Sequence, residues 1–440
     1  MKNFKVLEKA LEVIKSVPLC DSCLGRFFAS LGRGVENDVR GRALKLLILM
    51  EAHSRYLHGE KEWVEVMKAL ARSGMVEACE VLKQLGIEVP PAEPCYVCGD
   101  LMRSVDSITE WVISKIREWS GEFSTFVVGV VVPGDIIERE DSLRSLYGLE
   151  FSESIKSELN RRIGKAIKEA FDKEVDFTKP DITVVVDLVN KVVNIEPRPI
   201  TILGRYLKLT RGISLNPWIC TRCRGRGCPE CNFQGKKLPT SVEEEIRNLL
   251  TGKVLCQDIV MHAAGREDVD ARCIGTGRPV IIEFKKPIER KVVIGRFRSQ
   301  HVILSLERAV DRKYVQELKL GSEKARKVYR LLLLLSNDVR EEDLEKLREN
   351  FRNVIITQYT PSRVLHRRGD RLREKLLYEV RARKVAPRVI EVLVECQGGL
   401  YVKELATGDS GRTKPSFSEV LNVEITCLEL DVLHVEERAR

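Results

Sequence analysis

Eight consecutive residues, Gly265-Arg266-Glu267-Asp268-Val269-Asp270-Ala271-Arg272, hold three carboxylates and two arginines. They run through Gly275-Thr276-Gly277-Arg278-Pro279 into an apolar stretch, Val280-Ile281-Ile282-Glu283, that reads as a buried strand. Most charge clusters are solvated faces. One that leads into a core strand holds a carboxylate rigidly, and the flanking arginines can bind a polyanion. Such an acid suits chemistry on RNA or DNA.

Two chemistries fit this segment taken alone. Asp268 or Asp270, a glycine-rich turn and then Glu283-Phe284-Lys285 imitate a metal-dependent nuclease, in which two carboxylates hold Mg²⁺ and a lysine steadies the attacking water. Alternatively, one carboxylate attacks a ribose or takes its 2′ proton, with no metal. Residues 265 to 290 weigh the two almost evenly. A non-catalytic RNA-binding protein is a third possibility.

The chain has thirteen cysteines, and eight of them fall in CxxC pairs. Cys20-Asp-Ser-Cys23 and Cys95-Tyr-Val-Cys98 lie far apart, yet two such knuckles make a tetrahedral zinc site. Zinc there would clasp the two ends of a helical insertion running from Val39 to Gly86. Cys220, Cys223, Cys228 and Cys231 are tighter, with Gly225 and Gly227 supplying sharp backbone turns around a second zinc. The alternative is free buried cysteines or a redox pair. Four thiolates leave zinc no open position, so both sites read as structural. Arg222, Arg224 and Arg226 make the second set a basic knob able to meet phosphates. Cys79, Cys256, Cys273, Cys396 and Cys427 sit in apolar contexts and read as packing.

At 440 residues the chain expects two or three domains, and its net charge of +9 is mildly basic. Basic residues cluster between Pro361 and Ile390, where ten Lys/Arg (Arg363, Arg367, Arg368, Arg371, Arg373, Lys375, Arg381, Arg383, Lys384, Arg388) face three acids. Either a solvated face or a nucleic-acid contact explains this run. No apolar stretch is long enough for a membrane helix, and the start of the chain has no signal-peptide pattern. A cytoplasmic protein without disulfides is expected.

Residues up to Gly86 read as helical, from the spacing in Phe4-Lys5-Val6-Leu7-Glu8-Lys9-Ala10-Leu11 onward. A proline-rich linker at Pro90 to Pro94 precedes a helix over Val105 to Trp119. A strand over 123–132, a long amphipathic helix from Ser152 to Asp172, short strands at 182–188 and 191–195, and a further strand from Ile200 to Tyr206 form one compact α+β unit. Beyond Arg205 the chain is richer in β-runs. Asn337 to Asn350, with alternating charges, reads as an exposed helix.

Ordered motifs over nearly the whole chain resemble the Pus10 family, the archaeal and eukaryotic tRNA pseudouridine synthases of the T-arm. They are the Cys20/Cys23 and Cys95/Cys98 pairs, a THUMP-like unit, Arg205-Tyr206, residues 239–244 (PTSVEE), 265–279, 358–368 (QYTPSRVLHRR), 398–405 (GGLYVKEL) and 408–415 (GDSGRTKP). The second cysteine cluster resembles the archaeal branch.

The resemblance implies an α+β fold. Residues 206–440 would form a catalytic domain on a mixed, mainly antiparallel sheet, with the zinc knob at 220–231. Residues 1–99 would be the zinc-clasped helical region and 100–205 the THUMP-like RNA-binding unit. It implies Asp268 as nucleophile, with Glu267 and Asp270 its easiest misassignments. Lys327-Val328-Tyr329 matches the family's second motif, and Tyr401-Val402-Lys403 its third. Lys403 would pair with Asp268, Tyr329 would stack on the uracil and help remove the C5 proton, and Tyr401 and Val402 would wall the base. Arg266 would fill the space that the flipped base leaves. The reaction would be isomerisation of uridine 54 and/or 55 in the T-loop of tRNA. No organic cofactor, catalytic metal, membrane or obligate protein partner is implied. Val402 stands where the family leads one to expect isoleucine.

Overall fold

The computed structural model describes residues 5–437, apart from the side chain of Arg367. Phe4 and that arginine, both used in the sequence reading, therefore fall outside the described structure. The chain divides into two compact units, Met1–Arg198 and Pro199–Arg440.

The first unit opens with α1 (Val6–Ser16), α2 (Asp21–Arg26), α3 (Asn37–Leu57), α4 (Val64–Arg72) and α5 (Val76–Gln84). Helices α2 and α3 touch backbone to backbone. A Cβ on Gly25 would lie 1.7 Å from the Asn37 carbonyl oxygen, and one on Gly41 1.9 Å from that of Asp21. Glycine at both positions is what allows the contact. Then come α6 (Val105–Trp119), β1 (Thr125–Val131), α7 (Gly134–Tyr147), α8 (Ile155–Phe171), β2 (Glu174–Val175), β3 (Ile182–Asp187) and β4 (Val192–Pro197). The strands make a sheet in the order β2-β1-β3-β4, with β1 parallel to both neighbours. Ile182, Val184 and Val186 alternate into the core, as period-two spacing requires. Ser154 caps α8 by accepting from the Ser157 amide.

The second unit is built on β5 (Ile200–Lys208), α9 (Val242–Leu250), β6 (Cys256–Ala263), β7 (Arg272–Pro287), β8 (Gly295–Arg298), β9 (Val302–Ala309), α10 (Tyr314–Gly321) and β10 (Arg326–Leu335). These are followed by α11 (Glu341–Asn350), β11 (Val354–Gln358), β12 (Arg373–Ala386), β13 (Val389–Gln397), α12 (Val402–Thr407), β14 (Thr413–Lys414), α13 (Phe417–Leu421) and β15 (Ile425–Val435). They form an 11-stranded sheet ordered β14-β11-β12-β13-β10-β15-β7-β5-β9-β8, with β6 also on β7. The β15–β7 pair is parallel and the other pairs are antiparallel, the mixed α+β arrangement expected. β7 is long enough to pair β15 through its first residues and β6 through its last. A gap therefore opens where the 264–271 loop joins β6 to β7.

Three sequence expectations shift. The strand beginning at Ile200 lies between β7 and β9 in the second unit's sheet, not beside the β3–β4 hairpin. Its residues 200–204 are buried on both faces, an environment only a central strand provides. The charged helix α11 is amphipathic: Leu344 and Leu347 are buried. The basic run divides. On β12, Arg381 pairs with Glu379 and Arg383 with Glu391, whereas Arg363, Arg368 and Arg373 line a cleft.

Candidate active site

The 264–271 loop is fixed from beneath by buried charge. Glu267 is 8% exposed; its carboxylate accepts from Tyr206 Oη at 2.9 Å and Arg278 Nε at 2.9 Å. Arg278 also donates through Nη1 to the Ala264 carbonyl at 2.9 Å. Burial, and then the nearby Glu267 charge, push the Tyr206 phenol well up, so it stays a donor. Lys208 donates to the carbonyls of Asp268 and Val269 at 3.0 and 3.1 Å. Glu267 is thus committed to the core, and the next side chain, Asp268, projects into open space with its backbone held.

Asp268 stands between two cavities. The larger, about 430 Å³, is lined by Tyr329, Tyr401, Val402, Lys403 and Arg266 together with Asp268. The other, about 390 Å³, shares Arg266, Asp268 and Lys403 and adds Asp270 and Trp218. The fold therefore brings together every residue expected at the reacting centre.

Electrostatic pairing departs from expectation. The closest cation to Asp268 is Arg363, Nη2 to Oδ2 at 3.1 Å; Lys403 Nζ lies 3.4 Å from the same oxygen. Lys403 is nearer to Asp270 Oδ2, at 2.6 Å. Burial raises the Asp270 pKa, but the Lys403 hydrogen bond and charge outweigh it and the net shift is downward. Arg363 is itself held by the buried Glu404, Nε to Oε1 at 2.6 Å. The sequence reading counted Arg363 as one basic residue among ten. Its place in the 358–368 motif, four residues from Tyr359 and five from Gln358, was the available signal.

Tyr401 caps α12, which sets Val402 and Lys403 in its first turn. The Tyr401 hydroxyl accepts from Arg368 Nη1 at 2.9 Å, and the Arg373 guanidinium lies 5.6 Å from its ring centre. Tyr329 comes from the middle of β10. Burial, then the Cys396 thiol, push its phenol well up, which keeps it protonated.

Two earlier assignments give way. Arg272 is no free anion contact, because Nε and Nη2 grip Asp431 at 3.0 and 2.9 Å. The nuclease layout is not assembled either. Glu283 is buried, bonded to His262 Nε2 at 2.8 Å and paired with Arg312 Nε at 3.0 Å. Among the described residues, the groups able to surround a metal are the two cysteine sets alone.

The model of "Pus10, C-terminal" matches residues 201–436, and that of "Pus10 THUMP domain, archaeal" matches 108–187. A tRNA pseudouridine synthase Pus10 of Ignisphaera aggregans is 38% identical over 440 residues, covering 98% of this chain and 99% of that one. The tRNA pseudouridine synthase Pus10 of Methanopyrus kandleri is 40% identical over 442 residues, covering 97% of this chain and 98% of that one. The chain belongs to the Pus10 family of tRNA pseudouridine synthases.

In this Pus10-family chain both cysteine sets have the geometry of a metal site. Zinc with bonds of about 2.3 Å needs sulfurs about 3.8 Å apart at the corners of a tetrahedron. Cys20 and Cys98 Sγ are 3.7 Å apart, Cys220 and Cys228 3.9 Å, and Cys223 and Cys231 3.8 Å. In each set the four ligand atoms lie within 4.8 Å of one another. Backbone amides of Gly227 and Gly235 point at Cys223 and Cys231 Sγ at 3.3 and 3.2 Å. Gly225 and Gly227 take φ of +90° and +91°, the turns expected of them. Arg26 was not foreseen: fully buried, it donates to Cys23 Sγ at 3.2 Å and pairs with Glu140 and Glu158. No helix is long and apolar enough to cross a membrane among the described residues.

Proposed function

We propose that this chain isomerises uridine 54, uridine 55 or both in the T-loop of tRNA to pseudouridine, with Asp268 as the nucleophile. The observation that carries the reading is the Asp268 carboxylate at a cleft wall, opposite Tyr329, Tyr401 and Val402 and paired with Arg363 and Lys403.

The two cations hold and aim one oxygen of the Asp268 carboxylate. That oxygen attacks C1′ of the uridine while the N1–C1′ bond breaks and its electron pair leaves with the ring. After the ring turns, C5 bonds to C1′ and releases the carboxylate. The proton lost from C5 is matched by one gained at N1, so the product is an isomer and the sequence is redox-neutral. Tyr329 stacks on the turning ring, and its raised pKa favours that role over removal of the C5 proton. Tyr401 and Val402 wall the base, and Arg266 occupies the gap left in the loop's stack. Arg368 and Arg373 meet the phosphates.

The partner is tRNA. Residues 100–198 serve as the THUMP-like RNA-binding unit, reading shape, phosphates and 2′-hydroxyls; residues 1–99 are the clasped helical region, and the catalytic domain starts at residue 199, since β5 belongs to its sheet. Cys20, Cys23, Cys95 and Cys98, and separately Cys220, Cys223, Cys228 and Cys231, hold structural zinc. The setting is the cytoplasm.

The test incubates purified protein and an Asp268→Asn variant with unmodified tRNA transcript in EDTA buffer, then maps pseudouridine by carbodiimide-dependent primer-extension stops. T-loop stops with wild type alone are expected, with tRNA affinity unchanged in the variant. Stops elsewhere, or an active variant, would overturn the reading.

A further inference from the structure

Lys327, on β10, is 7% exposed, and among the described residues its ammonium has no hydrogen bond and no ion pair. The groups that act on it most strongly are Arg278 on β7 and Lys375 on β12, both of its own sign, with the thiols of Cys273 and Cys396; Asp268 and Glu323 line the same cleft without pairing with it. The nearby Glu267 is already bound by Arg278. An unpaired buried ammonium is strongly unfavourable in a resting protein.

The fold nevertheless builds a place for it. A Cβ on Gly398 would come within 3.2 Å of Lys327 Cε, and one on Gly265 within 3.6 Å of Nζ. Gly398 thus leaves room for the side chain, and its amine rests in contact distance of Gly265 in the loop that carries Asp268. Lys327 and Tyr329 are two residues apart on one strand and share a face, and both line the cleft with Asp268. The amine therefore lies at the edge of whatever stacks on Tyr329.

We propose that Lys327 is a further catalytic residue, whose ammonium holds the negatively charged uracil ring by O2 or O4 between its detachment from the ribose and its reattachment through C5. This rests on the isomerase reading above. When the N1–C1′ bond breaks, the electron pair stays on the ring and spreads from N1 onto both carbonyl oxygens. A preset cation at the cleft stabilises that charge as it forms. The C5–C1′ bond then consumes the pair, returning the negative charge to the released Asp268 carboxylate; C5 then loses its proton and N1 gains one, with no further change of charge. A backbone phosphate is the less suited ligand, because the exposed Arg368 meets it first.

The test compares wild type, Lys327→Met and Asp268→Asn by single-turnover pseudouridine formation on unmodified tRNA transcript, tRNA affinity and melting temperature. Lys327→Met should slow the chemical step ~100-fold, keep affinity within about twofold, and melt no lower than wild type, since it removes an unpaired charge. Burial, then Arg278, hold the amine's pKa down to about 8. The wild-type rate should accordingly fall above that pH, and the residual rate of Lys327→Met should lack this limb.

A lost rate with a lower melting temperature would make Lys327 structural. A matching loss of affinity would assign it to phosphate, and a near-normal rate would remove it from catalysis. Each overturns the proposal. Active wild type with inert Asp268→Asn sustains the isomerase reading whatever Lys327→Met does; inactive wild type brings down both.

Discussion

The Gln358 carboxamide holds the Tyr401 backbone on both sides: Nε2 donates to its carbonyl at 3.0 Å, and Oε1 accepts from its amide at 2.8 Å. Gln358 is fully buried and also donates to Thr413 Oγ1 at 2.9 Å. Tyr401, Val402 and Lys403 inherit their position from that amide. Gln358→Leu should leave the Tyr401 amide unpaired, while the carbonyl keeps the Leu405 amide, costing about 1–3 kcal/mol in urea unfolding. Its turnover should fall further than its tRNA affinity. An unchanged unfolding midpoint would count against the clamp.

Lys403 and Arg363 share one oxygen of Asp268. Lys403→Met and Arg363→Met should each lower single-turnover rate by ~10²-fold; melting temperature should change little for Lys403→Met but fall for Arg363→Met, which strands the buried Glu404 carboxylate. The double variant should lose much less than the product of the two effects, because both act through one carboxylate. Strict multiplication of the losses would show the cations acting independently.

Asp431 is buried among Arg211, Arg272 and Arg330, at 2.7, 2.9 and 3.1 Å. Burial raises its pKa, but the Arg272 hydrogen bond and the charges of Arg211 and Arg272 prevail, and the folded value falls below the ordinary 3.8. The folded state then binds this proton less readily than the unfolded state. The stabilisation is present above pH 3.8 and is lost as pH falls through the lower folded value. Asp431→Asn should be less stable at neutral pH by about 3 kcal/mol and show a flatter loss of stability in acid, measured by denaturant titration across pH.

The two cysteine sets predict two zinc ions per chain. Cys20→Ser and Cys223→Ser should each retain one by elemental analysis. Chelation should speed hydrogen exchange around the affected cysteines while leaving the Asp268 loop protected. Loss of pseudouridine formation on chelation, with the fold intact and recovery on adding zinc, would point to a catalytic metal.

Much of this architecture was legible in the chain. Val105–Trp119 matches its expected helix residue for residue, and the knuckle spacing announced both cysteine sets. Local signals sufficed there: amphipathic period, caps, positive-φ glycines. Long-range pairing was not legible. Nothing around Ile202 says that its partners are Ile282 and Ala309 rather than the preceding hairpin. Likewise, only the folded sheet reveals that Glu267 is spent on Arg278, that Arg272 is spent on Asp431, or that Arg363 reaches Asp268. Ion pairing is a property of neighbours in space, and charge counting along the chain cannot apportion it.

The two cysteine sets differ in what must happen before their thiolates can meet. Cys220 to Cys231 converge within twelve residues, so this set can grip an ion almost as soon as it leaves the ribosome. Cys20 and Cys98 are 78 positions apart and come together only after the helices between them have folded back. Their ion is therefore the last part fitted, and its uptake is a readout of whether the amino-terminal helices assembled correctly.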